Sequence, residues 1–223
     1  MRYLLTLVTF LFINLSFGQS QPTKSIEYYE SGTIEIIEYI QNGERTGIRK
    51  EFHDNGKLRE IGTYKNGRPI GEFRIYYYDG QLESVEYFED DENSSPTNIG
   101  ERREYHPNGQ LKLIEQFGPK GIHIGEFISY HDNGNINRIG SYKADSLHGT
   151  WKSYYDDGAL WSIEKFRNGY SLGTHKIFYS NGQLKKKYHF KYKETRCGIW
   201  KTFSEDGTLL TVEKYKNGKL IKS

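Results

Sequence analysis

Three imidazoles, His53, His106 and His131, are the most obvious candidates for metal ligation or proton transfer in this sequence, because each directly follows an aromatic residue in the same local context. Their spacing argues against a shared site. Equivalent residues of adjacent β-hairpins sit roughly 10 Å apart, whereas zinc needs its ligand atoms at about 2 Å. No phosphate-cradling glycine loop, paired-cysteine knuckle or serine-nucleophile elbow accompanies them. Cys197 is the only thiol, which excludes an internal disulfide. The acidic run Glu89-Asp90-Asp91-Glu92 lacks the spaced, glycine-containing pattern of a calcium loop and, with Ser94, Ser95 and Pro96, reads as a solvated protruding loop. Neither a catalytic residue, nor a metal, nor a cofactor is expected.

The elements that carry these residues follow from glycine spacing. Gly47, Gly71, Gly100, Gly125, Gly149, Gly173 and Gly198 each precede a second glycine by nine positions, and that second glycine always follows Asn or Asp. Asn-Gly and Asp-Gly tolerate the positive φ of a hairpin turn. With a degenerate copy around Tyr28, Tyr29 and Gly32, the chain divides into eight units at about 23–46, 47–70, 71–99, 100–124, 125–148, 149–172, 173–197 and 198–221. An aromatic ladder (Tyr28, Phe52, Tyr76, Tyr105, Tyr130, Tyr154, Phe178, Phe203) ends the first strand of each unit. Leu or Ile follows the turn, and another aromatic comes six residues later in the seven full copies, from Tyr64 to Tyr215. Apolar residues therefore recur every three positions, as in Leu58, Ile61 and Tyr64, where a half-buried strand alternates every two. A bulge, a rolled sheet, a covering partner or a three-sided solenoid would each account for this. Turn chemistry favours chain reversal, so the expected fold is all-β: an elongated, twisted antiparallel sheet of about eight hairpins, roughly 75 Å long at about 4.7 Å per strand.

Two surfaces stand out. Tyr29, His53, Tyr77, His106, His131, Tyr155 and Tyr179 directly follow the ladder, and with the ladder inside they would form an outward line of rings for partner contact or sugar stacking. Trp161 lies in an otherwise mostly polar row and has the character of a contact hot spot. Charge is the second feature. Residues 19–118 hold 12 basic and 19 acidic side chains, while residues 119–223 hold 18 and 10. Lys185, Lys186 and Lys187 concentrate the positive end, an arrangement suited to steering a partner or to head-to-tail self-association. A net charge of +2 over the whole chain gives no global field for nucleic acid.

Met1-Arg2-Tyr3, the apolar stretch Leu4 to Leu15 and the small residues before Gln19 have the form of a signal peptide cut near Gly18, too short to span a bilayer. No Cys follows for lipidation, so a periplasmic or secreted location is expected. The stretch Gly149 to Leu160, together with Gly71 to Leu82 and Gly173 to Leu184, resembles the core of the variant MORN repeat, a pattern grouped with YwqK-type antitoxins of toxin-antitoxin systems. That resemblance implies side-by-side hairpins without catalytic residues, roles in protein contact and, for some members, membrane association. The expected function is an exported, non-enzymatic scaffold for a protein partner. Toxin neutralisation and glycan binding are the alternatives.

Overall fold

The computed structural model describes residues 20–93, 95–191 and 193–222, and the expected leader lies outside them. The strands of the described residues, 19 in number, form one antiparallel sheet. Each hairpin pairs with the next in chain order. Their strands are Thr23–Tyr28 with Ile34–Gln41, Gly47–Phe52 with Leu58–Lys65, Arg68–Tyr76 with Leu82–Phe88, and Gly100–Tyr105 with Leu111–Phe117. The fifth to eighth hairpins pair His123–Tyr130 with Ile136–Lys143, Ser146–Tyr154 with Leu160–Arg167, Gly173–Phe178 with Leu184–Lys191, and Thr195–Phe203 with Leu209–Lys216. A last short strand, Lys219–Lys222, pairs with the eighth hairpin.

A bulge explains the three-residue recurrence. In the second hairpin Phe52 faces Leu58 and Glu51 faces Glu60, so Arg59 is an extra residue on one strand. The same shift occurs in every hairpin at the ladder residue. It reverses the side-chain parity once per unit. Leu58, Ile61 and the ladder therefore share one face of the sheet, while Tyr64 and its equivalents lie on the other. The ladder side is here termed the ladder face and the opposite side the packed face.

The core runs along the packed face, not beneath the ladder. Its most buried large side chains, Trp151 (0% exposed), His175 (1%) and Phe73 (4%), all lie two residues after an opening glycine. The ladder residues from Phe52 to Phe203 are only half-buried, which corrects the expectation that they lie inside. The second aromatic of each full unit stands directly across from an opening glycine, as Tyr64 does from Gly47 and Phe166 from Gly149. The opening glycine has φ of +74° at Gly149, a conformation that strains any residue with a Cβ.

Neighbouring hairpins meet on the packed face through complementary pairs. Phe73 and Trp151 lie flat over Gly62 and Gly140, where an added Cβ would come within 2.1 Å of the ring. In the equivalent places stand Glu38 with Arg49 at 3.5 Å, Glu86 with Arg102 at 3.0 Å, and Glu164 with His175 at 3.8 Å. Arg49 also meets Glu51 at 2.8 Å and Glu60 at 3.2 Å, so its charge is compensated within a nearly dry cluster. Burial pushes the Glu60 carboxyl up despite Arg49, whereas the His175 ring draws the Glu164 carboxyl below its ordinary range.

Candidate functional site

The ring row that follows the ladder connects consecutive units. The hydroxyls of Tyr29, Tyr77, Tyr155 and Tyr179 donate to the carbonyls of Phe52, Tyr105, Phe178 and Phe203 at 2.7 to 2.9 Å. His53, His106 and His131 reach Tyr76, Tyr130 and Tyr154 carbonyls through Nε2 at 3.0 to 3.1 Å. A carbonyl only accepts, so Nε2 carries the proton in each. Every ring thus ties its hairpin to the next one's ladder residue, and the eighth hairpin has Ser204 in this place. The turn asparagines repeat the tie, with Asn55, Asn108, Asn133 and Asn181 donating to Tyr78, Asp132, Asp156 and Glu205 carbonyls. Tyr155→Phe should therefore lower stability by about 1 kcal/mol, the usual net worth of a neutral hydrogen bond. A urea midpoint indistinguishable from that of the parent would show that the tie contributes nothing.

Trp161 occupies the bulge position of the sixth hairpin and is 45% exposed. Its counterparts Arg59 and Lys112 reach Glu51 and Glu104, which places the bulge row beside the packed face. The three consecutive lysines separate. Lys185 is the next bulge residue and lies 5.0 Å over the Tyr179 ring. Lys186 faces Thr202 in the row of Glu51 and Glu60, while Lys187 faces Lys201 on the ladder face. The single positive end expected from sequence is therefore divided between two faces. The acidic loop lies back on the preceding turn, where Lys65 meets Asp90 at 3.1 Å and Glu92 at 3.4 Å. Among the described residues no cluster of His, Cys, Asp and Glu is placed to hold a metal ion, and no helix is long and apolar enough to cross a membrane.

Sequence reading missed the chemistry of the ladder face. Strand pairing joins Ile37-Lys50, Ile61-Arg74, Val85-Arg103, Ile139-Lys152 and Ile163-Lys176 into one row across the sheet, aliphatic and cationic side chains alternating except where Ile114, Ile128 and Ile139 follow one another. In the first half its two arginines are compensated, Arg74 by Glu72 at 2.6 Å and Arg103 by Glu101. Beyond Glu126 no strand position of this face carries a carboxylate, while Lys152, Lys165, Lys176, Lys187, Lys201 and Lys214 all belong to it. The acids of that half stand in turns or, as Glu164 and Glu213, on the packed face. The signal was present in the sequence as the residue three places after each opening glycine, but only the bulge register shows which neighbours share its face.

Tandem hairpins with this fixed register agree with a family pattern, the MORN repeat variant, which matches residues 45–66, 69–90, 99–117, 124–144, 147–168, 172–192 and 196–217. The chain belongs to the MORN repeat variant family. MORN repeats generally mediate binding and are generally non-enzymatic. The first hairpin lies outside the matched segments, yet it has the same bulge and the same Tyr29 tie as the MORN units. No curated protein matches the chain in sequence. Solved structures with partial likeness include crystal structures of TcdB2-TccC3-TEV and TcdB2-TccC3-Cdc42, 11% and 10% identical over 91% and 89% of this chain, with TM-scores of 0.23 and 0.18. The chain spans only 13% and 14% of the length of those two.

Proposed function

We propose that this protein is an exported, non-enzymatic scaffold that holds an anionic macromolecular partner against the ladder face of its sixth to eighth hairpins. The supporting observation is the carboxylate-free lysine face beyond Glu126. Six ammonium groups on one side of a sheet attract a polyanion, and interleaved Ile163 and Val212 add apolar contact. The expected leader over residues 1–18 would put this face outside the cytoplasm. The ring row fits this reading as a support of the sheet, since the tips of its rings are already engaged with backbone.

The protein immobilised through its N-terminal half should capture a partner from an envelope fraction at low salt and release it as salt rises toward molar, where the screening length falls to about 3 Å. Replacing Lys152 and Lys201 with Glu should abolish that capture without unfolding the chain. Capture that survives both replacements, or that is indifferent to salt, would move the binding face elsewhere.

A further inference from the structure

Lys187 breaks the repeat. The position fourteen residues after the opening glycine is Ile61, Val85, Ile114, Ile139 and Ile163 in the second to sixth hairpins and Val212 in the eighth, with Ile37 in the corresponding place of the first, but Lys187 in the seventh. Its direct cross-strand neighbours are Lys176 on one side and Lys201 on the other. Directly opposed like charges destabilise a sheet, and here three ammonium groups occupy one row on three successive strands. None of the three has an ion-pair partner among the described residues. A β-branched aliphatic residue serves the fold at this position in seven units of eight, so the departure is a local conflict of the kind that marks a working site.

The geometry points to a linear acidic polysaccharide lying along the sheet axis, across the strands, with its carboxylates on Lys176, Lys187, Lys201 and, one hairpin away, Lys152. This inference rests on the reading of the ladder face as the binding face. Three features favour this ligand over other polyanions. First, the four basic side chains that would hold the ligand, Lys152, Lys176, Lys187 and Lys201, are all lysines, whereas the bidentate grip on phosphate that nucleic acids and phospholipid headgroups invite is the province of arginine. Second, Lys176, Lys187 and Lys201 lie on three successive strands about 4.8 Å apart. An extended polypeptide offers carboxylates on one side only about every 6.6 Å, while a polyuronate carries a carboxylate on every sugar. Third, the half-buried ladder rings Tyr154, Phe178 and Phe203 border the lysine row and offer flat apolar surface to sugar rings.

The test is titration of the purified protein with polygalacturonate at low ionic strength, followed by calorimetry, beside dextran, poly-L-glutamate and single-stranded DNA. Polygalacturonate should bind, dextran should not, and the other two polyanions should bind more weakly per charge. Lys187→Ile, which restores the residue type of the sister units, should weaken polygalacturonate binding about tenfold, the loss of one charge-assisted contact. The same variant should melt no lower than the parent. Lys186→Ala, one residue away and on the packed face, should leave affinity unchanged. Tighter binding of poly-L-glutamate or DNA would overturn the polysaccharide assignment and leave the anionic reading of the face standing. Binding of none of the polyanions would overturn both. Equal loss in Lys186→Ala and Lys187→Ile would overturn the three-lysine cluster as the site.

Discussion

Trp151→Ala should cost about 3 to 5 kcal/mol, the range for deleting a large buried aromatic. The ring is fully buried between Phe127 at 5.3 Å and Tyr142 at 5.2 Å, with the Arg138 guanidinium 4.5 Å from its centre. Its Nε1 donates to the Ser141 carbonyl at 3.2 Å, so truncation also strands an acceptor. Because each hairpin touches only its neighbours, the damage falls on the junction of the fifth and sixth hairpins. The urea transition should then split in two, with the first five hairpins and the last three unfolding separately. Trp161→Ala is the internal control. That ring is exposed, and its loss should change stability by no more than about 0.5 kcal/mol. A single unsplit transition with an unchanged midpoint in Trp151→Ala would mean that the packed face is not the core.

The second large effect concerns the complementary pairs. Gly62→Glu should destabilise by about 3 kcal/mol, because its Cβ would fall 2.1 Å from the Phe73 ring and its carboxylate would be buried unpaired. Phe73→Arg alone should cost about as much, since it removes a 4%-exposed ring and leaves a charge without a partner. Joined, the two substitutions recreate the Glu38 and Arg49 arrangement found one junction earlier. The double variant should recover about half of the combined loss, with a coupling of about 3 kcal/mol in a double-mutant cycle. Losses that merely add would show that the two positions are independent.

This pair grammar could have been read from sequence by aligning the eight units and comparing Glu38, Gly62, Glu86 and Gly140 with Arg49, Phe73, Arg102 and Trp151. The hairpins, their turns and their order were legible because Asn-Gly and Asp-Gly act locally, through the φ they permit. Facing was not legible. One extra residue per hairpin, such as Arg59, reverses which side chains look the same way, and no local propensity announces it. For that reason the ladder seemed to be the core, although Trp151 and His175 lie on the other side. Ordinary strand alternation separates Lys186 from Lys187, which sequence presents as one basic run. The partners of the ring row are backbone carbonyls one unit away, a contact that depends on the distance between hairpins and so leaves no local signal.

The two faces of one sheet then do different work, packing on one and anion contact on the other, and lysine acetylation footprinting reads this directly. With polygalacturonate present, Lys152, Lys176, Lys187 and Lys201 should be protected from acetylation, while Lys186 and the turn residue Lys193 react at their free rates. Protection of Lys186 in place of Lys187, or equal protection of every lysine in the last three hairpins, would contradict it.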